Sequence, residues 1–90
     1  MKLICQVYRS PRKEEMYLYV EKSKGLVDVP EPLLVRFGEP EEAMVLLLTP
    51  DKKLARANVI EVLERIAEEG FYLQMPPTHA QLLHRDGNEH

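Results

Sequence analysis

Hydrophobic and polar side chains alternate in the first part of the chain. Segment 3–8 reads Leu-Ile-Cys-Gln-Val-Tyr, and segment 16–20 reads Met-Tyr-Leu-Tyr-Val. Alternation of this kind, with aromatic and branched residues, is typical of β-strands. A polar connection that contains Ser10 and Pro11 separates the two segments. The pattern therefore predicts an antiparallel β-hairpin.

A short helix is predicted between residues 29 and 38. A proline stands near its start, with Asp28 or Val29 close to the cap, and Gly38 stands just past its end. Proline at the start and glycine after the end is the asymmetry expected of a helix. The apolar residues of this segment lie three or four apart and would share one face: Leu33, Leu34 and Phe37.

The run 43–48 is apolar without alternation, and Pro40 and Pro50 limit its length. Periodicity alone does not separate a buried helix from a strand here, but the length favours a strand. A continuous apolar run of this kind predicts a central strand that is covered on both faces.

The clearest helical pattern begins at Asn58. Asn58 and Glu61 have the spacing of a capping box, and Gly70 would end the helix. An earlier start, around Asp51, stays open if segment 54–57 is helical too. The apolar stripe consists of Val59, Val62, Leu63, Ile66 and Ala67.

Segment 71–75 predicts a last strand, which a Pro-Pro pair stops. A short helical turn at 80–83 and a frayed tail are expected to follow. We therefore predict a single domain over 1–83 and a flexible tail over 84–90.

The element order is strand, strand, helix, strand, helix, strand. We expect the two strands that flank the main helix to be parallel and joined by a right-handed crossover. The predicted architecture is a small α/β sandwich, a mixed sheet of about four strands with both helices on one face.

Composition narrows the function classes. The chain has 90 residues, of which 44% are hydrophobic and 30% charged, with a net charge of −3. A dedicated nucleic-acid binder would be strongly basic, and we find no DNA-binding motif. The N-terminus is too short and polar for a secretory segment, and no apolar run has the length of a membrane helix. With one cysteine, the chain is expected in the reducing cytosol.

Four ordered segments resemble the recurring segments of the YcgL-domain family of bacterial proteins. They are Glu-Glu-Met-Tyr-Leu-Tyr-Val at 14–20, Pro-Leu-Leu with Arg-Phe-Gly at 32–38, Lys-Leu-Ala-Arg-Ala at 53–57, and Gly-Phe-Tyr-Leu-Gln-Met-Pro at 70–76. The resemblance covers about residues 3–83. It implies a small α/β sandwich in the bacterial cytosol, and it brings no established catalytic residues.

Basic residues mark two candidate surfaces. Arg9, Arg12 and Lys13 surround the hairpin tip beside tyrosines and could hold phosphates while the rings stack on bases. Lys53 and Arg56 precede the main helix, where anions are favoured. The alternatives are a solvated hairpin that resists edge-to-edge pairing and a plain polar connection.

The last strand offers a third candidate surface. Tyr72 and Gln74 are expected to point away from the core, next to the Pro-Pro corner, and could form a groove for a partner. The alternative is a core strand with a rigid exit. No cofactor is predicted, because the three histidines are too loosely placed for zinc and Cys5 lies on an interior strand.

Two functional hypotheses remain. The first is a non-enzymatic interaction module that binds a protein or an RNA through these surfaces. The second is a small hydrolase or nuclease-associated accessory whose site no motif reveals. The first is favoured, because no residue pattern pairs a nucleophile with a base.

Overall fold

Four strands and two helices follow one another in the predicted order. The structure, a computed structural model, describes residues 2–54 and 57–78. The elements are β1 (Leu3–Arg9), β2 (Tyr17–Glu21), α1 (Glu31–Phe37), β3 (Glu41–Leu48), α2 (Val59–Glu69) and β4 (Phe71–Gln74). The predicted fold class and the hairpin are confirmed. The predicted helical turn at 80–83 lies outside the described residues.

The sheet has the strand order β3-β1-β2-β4, and every neighbouring pair is antiparallel. The predicted parallel pair is therefore wrong, and the sheet is antiparallel rather than mixed. The central hairpin β1–β2 accepts one outer strand on each side, so β3 and β4 lie at opposite edges. The crossover rule applies to parallel strands, and here the hairpin separates two strands that run in opposite directions.

The two helices cover opposite faces of the sheet, so the prediction that both lie on one face is wrong. α2 packs on a cluster that includes Cys5, Val7 and Tyr19. Phe37 of α1 packs with Leu18 and other residues of the second face. The sequence of β2 explains this arrangement. Its tyrosines point to one face and its aliphatic residues to the other, and each set is apolar enough to be buried under a helix.

Ser10 fastens the hairpin turn to the end of α1. Its hydroxyl donates to the carbonyl oxygen of Phe37 at 2.6 Å and accepts from the backbone N–H groups of Arg12 and Lys13, each at 3.1 Å. Gly38 follows with a φ of 87°, and a Cβ added there would lie 2.9 Å from Cγ of Arg12. The turn and the helix end are therefore in direct contact.

Helix α1 confirms most of the predicted pattern. Phe37 is fully buried, and Leu33 and Leu34 pack beside it. The N-cap is Pro30 rather than Asp28 or Val29, and no side chain caps the helix. Pro30 has the extended backbone that is usual for an N-cap residue and that proline adopts readily, with φ −61° and ψ 140°.

Helix α2 begins at Val59, so the alternative start near residue 51 is wrong. The side chain of Asn58 accepts hydrogen bonds from the N–H groups of Ile60 and Glu61, at 2.9 and 3.2 Å. The carboxylate of Glu61 is exposed, and no returning bond to Asn58 is present among the described residues, so half of the capping box forms. Gly70 ends the helix in the left-handed conformation that glycine favours, with a φ of 91°.

Candidate functional site: a free edge strand and an adjacent pocket

β3 is an edge strand of eight residues, and most of it is exposed. The strand itself is confirmed, but its predicted central and buried position is wrong. A continuous apolar run indicates burial on both faces only when other elements cover both faces. Here β1 pairs with one side of β3, and the other side pairs with no strand of the described sheet.

The backbone direction along β3 follows from its neighbours. The N–H of Lys22 donates to the carbonyl oxygen of Ile4 at 2.9 Å, so the backbone groups of Ile4 point towards β2. In an antiparallel sheet the next residue points the other way, and Cys5 therefore faces β3, where it pairs with Leu46. By the same alternation, Val45 and Leu47 direct their N–H and C=O groups to the free edge.

Apolar side chains accompany this free edge. Ile4, Val45 and Leu47 are 56%, 50% and 51% exposed and lie on the same face of the sheet as α1, beyond the part that α1 covers. We call these three residues the edge patch. Met44 is 50% exposed on the other face. A long edge strand without charged residues in its second half is a template for pairing with another strand.

The opposite edge of the sheet is protected. β4 has four residues, and Pro76 and Pro77 follow it closely. A short edge strand that is followed by prolines is a poor template, because proline lacks the N–H group that a strand ladder needs. The two edges of this sheet therefore differ sharply, and β3 is the one open to pairing.

A pocket of about 400 Å³ lies on the α2 face of the sheet, next to β3. We call it the Tyr17 pocket. Apolar side chains of the sheet form its floor, and polar side chains from the hairpin turn and the β3–α2 connection form its rim. Its lining residues are Val7, Glu15, Tyr17, Tyr19, Met44, Leu46, Lys52, Lys53, Leu54 and Gln74.

Tyr19 and Gln74 fix one wall of the Tyr17 pocket. The hydroxyl of Tyr19 donates to Oε1 of Gln74 at 3.0 Å, and both side chains are buried. Tyr72 packs edge-to-face against Tyr19, with ring centroids 5.7 Å apart. Burial raises the pKa of Tyr72, with a smaller contribution from Glu61. Packing therefore holds both rings in place, and a hydrogen bond also holds Tyr19.

Glu15, at the rim of the Tyr17 pocket, has an unusual backbone conformation. Its φ is 61°, which makes it the single non-glycine residue with a positive φ in the part of the chain that the structure describes. This conformation costs a side-chain-bearing residue of the order of 1 kcal/mol. Strain of this kind tends to collect where a turn holds a side chain in a particular place.

Comparisons with known proteins place these features in a family. The YcgL domain model matches residues 5–77. The chain is 58% identical over 77 residues to a YcgL domain-containing protein of Cellvibrio japonicus and 61% identical over 77 residues to one of Pseudomonas aeruginosa, covering 86% of this chain and 79% of each relative. The chain belongs to the YcgL-domain family. A relative from Chromohalobacter salexigens is 52% identical over 80 residues, or 89% of this chain and 83% of the relative.

The matched range of the YcgL domain contains β3, the Tyr17 pocket and both helices. Ile4 is the one residue of the edge patch that precedes it. The resemblance found in the sequence is thereby confirmed. The free edge and the pocket therefore lie within the family's own domain.

The predicted basic residues of the YcgL domain do not converge on one site. Lys53 and Gln74 both line the Tyr17 pocket, whereas Arg9 instead forms an exposed ion pair with Glu41 at 3.0 Å. Arg12 and Lys13 are exposed at the hairpin tip and do not line that pocket. Arg56 lies outside the described residues, and so do the three histidines considered for zinc, at positions 79, 84 and 90.

The predicted exposure of the last strand is corrected. Gln74 is buried, with 8% of its surface accessible, and Tyr72 is half-buried against the α2 cluster. The alternation of β4 suggested an outward face, but α2 covers that face. The core-strand alternative is the one that the structure supports.

Two features of the described residues bear on catalytic and metal chemistry. Burial raises the pKa of the Cys5 thiol from 9.0 to about 12, although a hydrogen bond with the Val20 backbone lowers it slightly. A thiol with such a pKa is protonated at neutral pH and is a poor nucleophile. In residues 2–54 and 57–78, no three His, Cys, Asp or Glu side chains are grouped to hold a metal ion. Nor does this part of the chain contain a helix of the length and apolar character that a bilayer crossing requires.

Sequence reasoning missed the edge patch. The apolar run that contains Val45 and Leu47 predicts a core strand, because apolar side chains are usually buried. One signal pointed the other way: β3 begins with Glu41 and Glu42, and charged residues are a common feature of edge strands.

Proposed function

We propose that this YcgL domain is a non-enzymatic interaction module of the cytoplasm, and that it binds a protein partner by accepting one strand of that partner on β3. The observation that carries the proposal is the free edge of β3, where Val45 and Leu47 offer backbone groups that pair with no described strand, beside half-exposed apolar side chains. Strand addition uses this combination: main-chain hydrogen bonds give affinity, and neighbouring side-chain sites give specificity.

The Tyr17 pocket supplies the specificity in this proposal. Met44 and Leu46 of β3 line it, so a strand that pairs with β3 would run along its border. An apolar side chain of the partner would enter over Tyr17, and an acidic neighbour would meet Lys52 and Lys53. Neither lysine forms an ion pair with the described residues, so both ammonium groups are accessible to such a neighbour.

A protein partner fits these features better than an RNA. The chain carries a net charge of −3, and nucleic-acid binders present an excess of basic residues. Arg9 and Lys24 are engaged with Glu41 and Glu21. The edge patch is apolar, which suits a protein surface and not a phosphate backbone. In this proposal Arg12 and Lys13 form a polar margin of the module rather than a phosphate site.

Capture from bacterial lysate tests the proposal, with the full chain as bait and with and without nuclease. We expect wild type to retain a partner after nuclease treatment and Val45→Lys to lose it, because a charge on the edge opposes strand addition. Val35→Lys is the matched control, since Val35 is an equally apolar residue that is exposed on α1. Circular dichroism verifies that both variants fold.

The bound state has its own signature. In the captured complex, hydrogen exchange of the Val45 and Leu47 amides should slow, because these N–H groups enter a strand ladder. Loss of the partner on nuclease treatment would favour an RNA instead. Retention of all partners by Val45→Lys, with no added protection of these amides, would refute strand addition.

A further inference from the structure

We propose that the occupant of the β3 edge is a second copy of this chain, which pairs β3 with β3 in antiparallel orientation about a two-fold axis. One continuous sheet would then run through both copies. This inference rests on the proposed function, because it names the partner of the same edge.

The backbone of β3 is complementary to itself in this orientation. Val45 and Leu47 point their N–H and C=O groups to the free edge, and residues that point outward can pair with residues that point outward in the other copy. A register that sets Val45 opposite Leu47 forms two symmetry-related pairs, in which the N–H and C=O groups of both residues are hydrogen-bonded in each copy. A two-fold interface uses the same surface on both sides, which is what a single unpaired strand provides.

The side chains agree with the same register. On one face, the edge patches of the two copies would meet and form a continuous apolar band across the axis. On the other face, Leu46 would lie opposite Leu46 of the second copy, and Met44 would lie opposite its Leu48. The half-exposed surface of Ile4, Val45 and Leu47 would thereby leave water, which is favourable by about 25 cal/mol for each Å² buried.

Charge also favours the antiparallel arrangement. β3 begins with the exposed acids Glu41 and Glu42, and the segment just after its end contains Lys52 and Lys53 with Asp51. In an antiparallel pair, the beginning of one strand lies beside the end of the other. In this register Asp51 of one copy falls nearest Glu41 of the other, but Lys52 and Lys53 follow it directly, so each acidic start would meet a segment with a net charge of +1. A parallel pair would instead set the acids of both copies side by side.

The second copy would complete the Tyr17 pocket as well. Met44 and Leu46 line the pocket on its β3 side, and in the paired state the other copy's β3 lies directly beyond them. Each pocket would thus gain a border from the opposite chain. Dimerisation and ligand access to the pocket become linked properties of one interface.

Sedimentation over a range of protein concentrations, from about 1 μM to about 1 mM, is the first test. We expect wild type to convert from monomer to dimer within this range and Val35→Lys to behave in the same way. Val45→Lys should raise the dimer dissociation constant at least tenfold. A wild type that stays monomeric throughout would overturn the proposal, as would a dimer that Val45→Lys leaves unchanged.

A charge exchange tests the orientation with variants that alter exposed residues alone. Glu42→Lys creates like charges across the axis, and Lys52→Glu does the same with acids, so each variant should dimerise more weakly than wild type. An equimolar mixture should form a heterodimer at least severalfold more tightly than either variant pairs with itself. No gain on mixing would rule out the antiparallel pair.

These outcomes separate the inference from the proposed function. A monomeric wild type that still captures a protein with slowed exchange at Val45 and Leu47 would overturn the second copy as occupant and leave strand addition intact. A monomer that captures no protein would contradict both. A dimer that Val45→Lys dissolves supports both, because the second copy is then the protein partner.

Discussion

The hydroxyl of Ser10 lies 2.6 Å from the carbonyl oxygen of Phe37 and donates a hydrogen bond to it. The hydroxyl oxygen of Ser10 in turn accepts from the backbone N–H groups of Arg12 and Lys13 in the hairpin turn. One buried side chain therefore satisfies three backbone groups and joins two elements that are distant in sequence. Buried backbone groups need partners, so this contact is an important constraint on how α1 sits on the sheet.

Ser10→Ala should reduce the free energy of unfolding by about 1–3 kcal/mol, because three backbone groups lose their partner at a buried site. Urea denaturation measures the change. Ser23→Ala is the matched control, since its hydroxyl bonds to an exposed carboxylate of Glu21 and should matter little. Equal losses in the two variants would show that Ser10 is not a structural link.

Gly70→Ala should destabilise the domain more than Gly25→Ala. Both glycines have a positive φ, so each variant pays about 1–2 kcal/mol for a left-handed alanine. At Gly70 the added Cβ would also lie 2.7 Å from Oδ2 of Asp28, whereas nothing lies within 4 Å at Gly25. Chemical denaturation of both variants isolates the cost of the clash, and no difference between them would mean that Asp28 moves aside freely.

Two adjacent leucines should respond very differently to alanine. Leu48 is fully buried and Leu47 is half exposed. We expect Leu48→Ala to cost about 2–4 kcal/mol through a cavity, and Leu47→Ala to cost less than about 1 kcal/mol at concentrations where the chain is monomeric. Thermal or urea unfolding of the pair measures both. A comparable loss at Leu47 would indicate that this end of β3 is covered after all.

Alkaline pH should weaken the fold through Cys5. In the folded protein the buried thiol has a pKa of about 12, whereas in the unfolded chain its pKa is near the ordinary value of 9.0. Above pH 9.0 the unfolded state therefore binds fewer protons than the folded state, and the free energy of unfolding falls as pH rises, by up to about 1.4 kcal/mol per pH unit. Below that pH the thiol contributes no dependence.

Unfolding curves of wild type and Cys5→Ala between pH 8 and about 11 test this linkage. The variant should show a shallower decline, because the other ionisable groups remain and the thiol is gone. Thiol-reactive reagents should modify Cys5 slowly in the folded protein and rapidly in urea. Parallel declines in the two proteins would mean that burial does not hold the thiol proton.

Local elements of this fold could be predicted because their causes are local. The hairpin follows from alternation around a Ser-Pro turn, and α2 follows from a cap at Asn58, an apolar stripe and a terminal glycine. Sheet order could not be predicted in this way. Whether Leu47 is buried depends on which strands pair with β1 and β2, and no property of segment 43–48 itself contains that information.

The candidate site shows the same limit. The sequence identified Lys53 and Gln74, and the structure brings them to one pocket, but Gln74 is held there by Tyr19, a partner 55 positions away. The edge patch was missed because its apolar residues have the composition of a core. The sequence predicts that Arg9 is free to bind phosphate. Its ion pair with Glu41 follows only from the pairing of β1 with β3, which sets the two residues opposite each other.

The position of β4 at the edge opposite β3 has a consequence for synthesis on the ribosome. β1, β2 and β3 are all made before α2 and β4 emerge, and their pairing requires neither. A three-stranded sheet can thus form early, with the face that α2 later covers still open to water. The pairing of Tyr17 with Gln74 joins residues 57 positions apart, against 45 for Leu3 with Leu48, and it cannot form before β4 has been made. A nascent chain that forms this sheet before α2 is made would expose both the edge of β3 and an uncovered face.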